Sequence, residues 1–433
     1  MLIQFSVENF KSFKTETVLS FAASKDTDHS NNYFTASDNK NYLKVITING
    51  ANAAGKSNLF SALASALRIL SDSNNRQEGQ PIPWIIPFKF DKKTINEPTS
   101  FEFVFLADNG KERTGTKYIY GFSATTKRVY SEYLYKYNSA KPTTIFEMEI
   151  ANDVPKYTFT NPEIRRHLEP ITKRNTGNKL FLATATNWNC EETREPLLWL
   201  TKKIGVYSSD INMLLDMAGP LYENDTSGEL KAFTQKILHE ADLSIDGFKF
   251  DTKDIPHDQF LLQFPPEIRG IVSSTSNTNH KEYNVNTKHI VNNNGEKEEY
   301  EIDLFEESEG TKNVFLISPI IKRALDTGEA VFIDEFDRSL HPMLLEYLIG
   351  LFNNPETNKL NAQFTITTQT TEILSLDISR RDQIYFIEKD RETGVSELFS
   401  LDEFSARKDE NIRKSYLLGK FGAVPNIKEG YLA

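Results

Sequence analysis

The chain has 433 residues, of which 39% are hydrophobic, 26% charged and 12% aromatic. This composition is typical of folded proteins and excludes a wholly disordered, collagen-like or coiled-coil chain, and the length predicts two or three folded units. With 61 acidic and 50 basic residues the net charge is -11, which argues against phosphate binding over the whole surface but leaves room for a local basic groove.

The cysteine content and the hydropathy both indicate a cytoplasmic protein. Cys190 is the only cysteine, so the sequence contains no intrachain disulfide, which fits a reducing compartment. The first residues, MLIQFSVENFKSF, lack the apolar core of a signal peptide, and no apolar run approaches the roughly 20 residues of a membrane span. We therefore expect neither secretion nor membrane insertion.

The first hundred residues predict two strands, then a strand, a turn and a helix. Apolar residues alternate from Ile3, and a second apolar run covers residues 18–22. The β-branched run at residues 45–48 stops at Asn49-Gly50, and apolar residues then recur at helical spacing to about Ser71.

The rest of the chain predicts a β insert, a helical part and a return to α/β alternation. Short β-rich stretches fill residues 100–160, residues 190–245 read as helical, and the polar stretch 271–300 reads as a mobile loop or a hairpin tip. The last third predicts helices at 310–326 and after Pro342, and strands at 330–333, 363–367 and 383–387. We expect four segments: 1–99, 100–189, 190–300 and 301–433.

Residues 50–57 match the phosphate-binding pattern G-x-x-x-x-G-K-[ST]. The matching residues are Gly50, Ala51, Asn52, Ala53, Ala54, Gly55, Lys56 and Ser57. Between a strand and a helix, the N–H groups of this turn can surround phosphate oxygens, Lys56 can neutralise them and Ser57 can bind Mg²⁺. The alternative is an ordinary Gly-containing turn.

Two further polar sites accompany this loop. The apolar strand at residues 330–333 ends in Asp334 and Glu335, which suits a metal-binding acid followed by a base for the attacking water. The alternative is a solvated turn or a helix cap. The turn Ser308-Glu309-Gly310-Thr311 opens a helix and can present Ser308 to an anion, although a plain N-cap explains the local sequence as well.

In combination and in this order, these motifs resemble the ABC-type AAA ATPases of the RloA/AbiL group. The stretches that carry the resemblance are MLIQFSVENFKSF, NGANAAGKSNL, ESEGTKN, AVFIDEFDRSLHP, ITTQTTEIL, RRDQIYFIEKD and YLLGKFGAVP. The group is related in its heads to SMC, RecF and OLD proteins and is associated with phage defence. The resemblance implies an α/β P-loop NTPase, an ABC-ATPase head, with an antiparallel β insert and a helical subdomain.

The resemblance also implies an ATP-sandwich homodimer or higher oligomer with ATP and Mg²⁺ as ligands. Lys56, Ser57 and Asn58 of one subunit would hold the nucleotide, and the turn Ser308, Glu309, Gly310 and Thr311 of the other would reach its γ-phosphate. Asp334 would bind Mg²⁺ with Ser57, Glu335 would polarise water, and residues 337–341 would cross the dimer interface. The N-terminal Asn9, Lys11, Ser12 and Phe13 resemble a stretch that lies beside the nucleotide.

One residue departs from the pattern of the group. Relatives usually carry a histidine after the Thr-Thr of the penultimate strand, where this chain has Gln369. Glutamine can donate hydrogen bonds but cannot become a cation or shuttle a proton. We therefore expect slow ATP turnover and a long-lived ATP-bound state. A Q-loop has no clear position, although Gln77 and Gln80 lie in the region where it is expected.

The functional hypothesis is an ATPase sensor or scaffold that controls an effector in antiphage defence. Only 43 residues follow Asp390, too few for the nuclease domain of OLD proteins, so any nuclease is expected to act in trans, as an RloB-like TOPRIM partner. One alternative is a RecF- or SMC-like DNA-repair ATPase that binds DNA directly, and another is a nucleotide-locked scaffold. A basic cluster could meet nucleic acid or an acidic partner, or be solvated surface: Arg165, Arg166, Lys173, Arg174 and Lys179.

Overall fold

A computed structural model describes most of the chain. The described residues are 1–107, 115–137, 141–241, 243–262, 265, 269, 280–404, 406–407 and 410–424. They form two compact units. Unit 1 comprises residues 1–207, 324–337 and 341–433, and unit 2 comprises residues 208–323 and 338–340. The four segments expected from the sequence stay a prediction.

The strands are numbered in chain order. They are β1 Leu2–Glu8, β2 Thr17–Ser20, β3 Tyr33–Thr35, β4 Asn41–Leu43, β5 Val45–Asn49, β6 Thr99–Ala107, β7 Thr116–Ala124, β8 Val129–Tyr137, β9 Thr143–Ala151, β10 Val154–Thr158, β11 Ile204–Tyr207, β12 Gly247–Ile255, β13 His280–Asn293, β14 Glu296–Asp303, β15 Ala330–Ile333, β16 Gln363–Thr367, β17 Ile384–Lys389 and β18 Ser396–Ser400.

The α-helices are numbered in the same way. They are α1 Lys56–Ser71, α2 Pro162–Thr172, α3 Phe181–Asn187, α4 Glu191–Lys202, α5 Ile211–Glu223, α6 Glu229–Glu240, α7 His257–Leu261, α8 Glu309–Thr327, α9 Pro342–Asn353 and α10 Ile412–Leu417.

Unit 1 contains a six-stranded sheet that carries the phosphate-loop motif. The strand order is β11-β15-β16-β5-β17-β18, and the first five strands run parallel. All residues of β5, β15 and β16 are buried, as expected of parallel strands that are covered on both faces. Helix α1 packs on this sheet, where Phe60 meets Phe332 edge to face with ring centroids 5.4 Å apart.

The second large sheet of unit 1 is antiparallel and has the order β10-β9-β8-β7-β6-β1-β2. Its inner face is rich in fully buried aromatic side chains, among them Phe5, Phe103 and Tyr120. Gln363 connects the two large sheets: its side-chain amide donates to the carbonyl of Leu2 (2.9 Å) and accepts from the Leu2 N–H (2.7 Å). The antiparallel strands expected over residues 100–160 are confirmed as β6 to β10.

Unit 2 is built on a three-stranded antiparallel sheet and helices. The sheet has the order β12-β13-β14. Its core is aromatic, because Tyr222 of α5 contacts Phe248, Phe250 and Phe315, and the Tyr222 hydroxyl donates to the Phe315 carbonyl (3.0 Å). The polar stretch 271–300 was expected to be a loop or a hairpin tip. Of this stretch, residues 280–300 belong to the long β13–β14 hairpin, and residues 271–279 lie outside the described residues.

The mixed α/β P-loop fold expected from the sequence is confirmed. The elements that the sequence predicted in the last third are present as α8, β15, α9, β16 and β17, each within two residues of the predicted bounds where bounds were given. Within the described residues, no helix is both long enough and apolar enough to cross a bilayer.

Candidate nucleotide site

The phosphate-loop motif occupies the turn between β5 and α1, where both glycines are needed for space. A Cβ atom on Gly50 would lie 2.4 Å from the Ile387 carbonyl oxygen, and one on Gly55 would lie 2.6 Å from the Ser396 hydroxyl. Gly55 also has a φ of 121°, which L side chains rarely adopt. The two glycines of the motif therefore allow the loop to approach β17 and β18.

The beginning of α1 offers hydrogen-bond donors to an anion. Among the described residues, no protein acceptor takes the backbone N–H groups of Gly55, Lys56 or Ser57. These groups lie at the positive end of a 16-residue helix. The Ser57 side chain is exposed. The donors and the hydroxyl are the chemistry that a phosphate and its Mg²⁺ require.

Lys56 is buried, with 7% of its surface exposed, and its ammonium is held by the loop itself. The Lys56 Nζ donates to the carbonyl oxygens of Gly50 (2.5 Å) and Ala51 (3.2 Å). Burial lowers the pKa of Lys56, while the negative charges of Asp334, Asp337 and Glu335 act to raise it. The structure thus brings the lysine of the loop and the acids after β15 into one electrostatic site.

Thr367 fixes the two acids that follow β15. The Thr367 hydroxyl donates to Asp334 Oδ1 (2.5 Å) and accepts from the Glu335 N–H (2.8 Å). Asp334 is further held by its N–H, which donates to the Tyr207 carbonyl (2.9 Å). Asp334 is half-buried, whereas the Glu335 side chain is exposed. This arrangement suits an acid that holds a metal ion next to a base that reaches a water molecule.

Asp337 holds the backbone around Gln369. Asp337 Oδ2 accepts from the N–H groups of Gln369 and Thr370 and from the Thr370 hydroxyl, each at 2.8 Å. The Gln369 side chain is exposed. Gln369, which stands where the resembled group has a histidine, is therefore held at its main chain by Asp337, a residue of the loop after Asp334 and Glu335.

The N-terminal stretch lies against the phosphate loop and α1. Lys11 Nζ donates to the Ser61 hydroxyl of α1 (2.7 Å); burial lowers the pKa of Lys11, and the charge of Asp334 opposes that shift. The Ser12 hydroxyl accepts from Asn58 Nδ2 (2.9 Å). Phe13, in contrast, is fully buried in the core, so its predicted role beside the nucleotide stays a prediction without an exposed surface to support it. Asn9 binds main-chain carbonyls at residues 94 and 97.

Several residues of the site were not found from the sequence. Ser396 donates its hydroxyl to the Ala54 carbonyl (2.5 Å) and its N–H to the Ser12 carbonyl (2.7 Å), which joins β18 to the phosphate loop. Ser61 and the bridging role of Thr367 were also missed. These are common residue types at distant positions and carry no local pattern, so no signal in one sequence points to them.

The turn at residues 308–311 belongs to unit 2 and begins α8. The Ser308 hydroxyl accepts from the Thr311 N–H (3.1 Å) and lies 2.8 Å from the Thr311 hydroxyl. Glu309 pairs with Lys312 (2.7 Å). A Cβ on Gly310 would lie 2.6 Å from the Ser339 carbonyl oxygen, so glycine is needed at this position. The capping geometry agrees with the N-cap reading and leaves the nucleotide role of the turn a prediction.

The fold and the loop define a P-loop ATPase: a parallel sheet, a glycine loop that begins a helix, a buried lysine and two acids at the end of a neighbouring strand. A family model described as "AAA domain, putative AbiEii toxin, Type IV TA system" matches residues 45–375. The chain belongs to this family. It is an ATP-binding P-loop ATPase of the AAA type, and the family implies nucleotide hydrolysis.

Solved structures with some likeness to the chain include SMC heads. One is an SMC head bound to the C-winged helix domain of ScpA (13% identity, 92% of this chain and 97% of that chain, TM-score 0.41). Another is the SMC head domain from Thermotoga maritima (12% identity, 92% and 98%, TM-score 0.39). Both TM-scores lie below 0.5, so the assignment rests on the family model. No curated protein is significantly similar to the chain.

Proposed function

We propose that the chain binds ATP and Mg²⁺ at the loop of residues 50–57 and hydrolyses ATP slowly. The observation that supports this best is the position of Lys56, which is buried on the carbonyls of its own loop and interacts with the charges of Asp334 and Glu335. A lysine in this place exchanges two carbonyl acceptors for phosphate oxygens when a nucleotide binds, and a phosphate also compensates its burial.

Each residue has a separate part in this proposal. The loop N–H groups and Lys56 hold the phosphates, and Ser57 and Asp334 hold Mg²⁺. The metal ion, when bound, neutralises part of the charge on the phosphate oxygens. Glu335 orients and deprotonates the water, and Thr367 keeps its backbone in place. The Gln369 side chain can donate a hydrogen bond but cannot take up or release a proton, and this accounts for slow turnover.

We further propose that two copies clasp the nucleotide between them. In this arrangement the Ser308 turn of the second copy contacts the γ-phosphate that the first copy holds. Support comes from the chemistry of that turn, which places a serine hydroxyl and the N–H groups of a 19-residue helix at one point. Higher oligomers are compatible with the same contact.

Phosphate release and light scattering test the proposal together. Lys56→Ala should abolish ATP binding, and Glu335→Gln should bind ATP but stop turnover, because it keeps the size and loses the base. Glu335→Gln should then remain a dimer with ATP, while the wild-type dimer should decay slowly as ATP is hydrolysed and Lys56→Ala should stay monomeric at the same concentration. An unchanged rate of phosphate release in Glu335→Gln would contradict the assignment of the base.

We propose that the ATP-bound dimer controls an effector in trans, as an RloB-like TOPRIM nuclease would be controlled. The family description, which names a type IV toxin–antitoxin system, supports a defence system of two components. The test is to co-express the chain with the product of its neighbouring gene and to compare complex formation with and without ATP. Complex formation that is equal for the wild type and Lys56→Ala would contradict ATP control.

A RecF- or SMC-like ATPase that binds DNA directly is the second candidate. The feature that favours it is the exposed Trp188, whose ring centroid lies 3.8 Å from the guanidinium of Arg174, a member of the basic cluster. Arg165 of that cluster is already paired with Glu169 (3.1 Å). Oligonucleotide binding that weakens with salt and with Arg174→Glu would favour this candidate, and its absence would favour a protein effector.

A further inference from the structure

Three side chains of unit 2 meet immediately before the Ser308 turn. Glu307 Oε1 accepts from the Thr287 hydroxyl (2.5 Å) and from His289 Nε2 (2.7 Å). The exposed fraction is 0% for Thr287, and the side chains of His289 and Glu307 are 18% and 12% exposed. Because residues two apart on a strand face the same side, Thr287 and His289 form one binding face on β13 for a single carboxylate.

The Ser308 turn itself has little freedom once Glu307 is held. The Ser308 carbonyl accepts from the Lys312 N–H (3.0 Å), and the Ser308 hydroxyl accepts from the Thr311 N–H. Gly310 lies against the Ser339 carbonyl so closely that no side chain fits. Helix α8 therefore fixes the C-terminal side of the turn, and Glu307, the residue immediately before Ser308, fixes its N-terminal side.

We propose that His289 and Glu307 are positioning residues that aim Ser308 at the nucleotide of a second copy. This inference rests on the proposed function, in which Ser308 of one copy contacts the γ-phosphate held by the other. The direction of the serine hydroxyl depends on the backbone that enters the turn. The contacts of Glu307 with β13 fix the conformation of that backbone before a nucleotide binds. Less conformational entropy is then lost when two copies dimerise around ATP.

The same strand provides a matched control. Lys288, the neighbour of His289 in the chain, points to the opposite face of β13 and pairs with Glu299 (2.5 Å). Lys288→Ala removes an ion pair of the hairpin without touching Glu307. A role of the hairpin in stability alone would give similar results for Lys288→Ala and His289→Ala.

The experiment has one measurement without nucleotide and one with it. In the ATP-free protein, hydrogen exchange at the amides of residues 307–312 should be faster in His289→Ala and Glu307→Ala, but not in Lys288→Ala. The second measurement uses the Glu335→Gln background with ATP. Loss of the hydrogen bond between His289 and Glu307, worth about 1 kcal/mol, should weaken each Ser308 contact about fivefold. Because a symmetric dimer has two such contacts, the dimerisation constant should fall about 25-fold. His289→Gln, which can still donate to Glu307, should recover part of this loss.

The outcomes distinguish this inference from the proposed function. ATP affinity of the monomer, measured by equilibrium titration, should be unchanged in His289→Ala, because the variant leaves the Lys56 loop intact. Unchanged hydrogen exchange at residues 307–312 would overturn the inference, whether or not a dimer forms. A dimerisation constant that falls equally in Lys288→Ala and His289→Ala would also overturn it. Failure of Glu335→Gln to dimerise with ATP would instead refute the proposed clasp and with it the contact between Ser308 and a second copy, whereas the exchange data would show separately whether His289 holds the turn.

Discussion

Glu132 gives the sharpest prediction about stability, because its carboxylate is fully buried in unit 1. Glu132 lies on β8 and accepts from the N–H groups of Phe181 (2.5 Å) and Leu182 (2.9 Å), at the beginning of α3, and from the Tyr120 hydroxyl (3.0 Å). Burial raises its pKa to about 7, and the three hydrogen bonds only partly oppose that shift. The folded protein therefore binds this proton more tightly than the unfolded chain.

The direction and size of the pH effect follow from linkage. Between the unfolded pKa of 4.5 and the folded pKa of about 7, Glu132 binds more protons in the folded state than in the unfolded state. The contribution of Glu132 to stability is therefore greatest at low pH and is lost as the pH rises through 7. With these two pKa values, the contribution of Glu132 to the free energy of unfolding falls by about 2–3 kcal/mol between pH 5 and pH 8. Glu132→Gln removes the titration and should remove this slope.

Urea unfolding of the wild type and Glu132→Gln at pH 5 and pH 8 measures the effect. The free energy of unfolding of the wild type minus that of Glu132→Gln should be about 2–3 kcal/mol more positive at pH 5 than at pH 8, because all other groups titrate equally in both proteins and cancel. Glu147→Gln is the matched control, since Glu147 also accepts from a tyrosine hydroxyl (2.6 Å) on the same sheet but is only half-buried. If the free energy of unfolding of the wild type minus that of Glu132→Gln is more positive at pH 8 than at pH 5, the helix amides hold Glu132 ionised and the reasoning is refuted.

Three further substitutions test the site and the core. Gln369→His should raise the rate of phosphate release by about 10–100-fold if a proton carrier is what turnover lacks, and an unchanged or lower rate would remove that hypothesis. Gly55→Ala should weaken ATP binding at least about tenfold in an equilibrium titration, because φ is 121° and the added Cβ would lie 2.6 Å from a serine hydroxyl. Arg380→Met breaks the buried pair with Asp382 (2.7 Å) and should lower the free energy of unfolding by about 3–5 kcal/mol, against less than about 1 kcal/mol for Arg413→Met, which breaks an exposed pair.

The sequence predicts those parts of the site in which one short segment contains both the structure and the chemistry. The strand, the glycine turn and the helix around Lys56 follow each other within 27 residues of chain, from Val45 to Ser71, and their pattern fixes the geometry locally. The pattern that points to Asp334 and Glu335 is local for the same reason, and their roles stay a prediction. Ser396, in contrast, reaches the loop from 342 residues beyond Ala54, and a serine at the beginning of a strand carries no pattern of its own.

The pairing of strands sets a similar limit on predicting the fold. The antiparallel strands over residues 100–160 follow one another in the chain and in the sheet, so alternation and turns reveal them. Their continuation into β1 and β2, and the order of the six-stranded sheet, depend on contacts between distant segments. The β13–β14 hairpin was missed as a long element because its outer face is polar: ion pairs such as Lys288–Glu299 replace the apolar residues that mark a buried strand.

Backbone conformation supports the functional reading of these segments independently of their side chains. Left-handed φ is readily adopted by Asn, Asp and Gly, and several described residues of the first two types adopt it. Among the residues that the structure describes, the other non-glycine residues with positive φ, apart from His29, are Lys11, Ala53, Trp84, Ser244, Glu335, Ser339 and Ala423. Lys11, Ala53 and Glu335 belong to segments that the resemblance assigns to the nucleotide site, and Ser339 belongs to the loop that it assigns to the dimer interface. Such strain persists only where the surroundings over-determine it, and it is concentrated at functional sites. At Glu335 the hydrogen bond to Thr367 holds the strained backbone, and the proposed role of the Glu335 carboxylate as a base requires a side chain that glycine lacks.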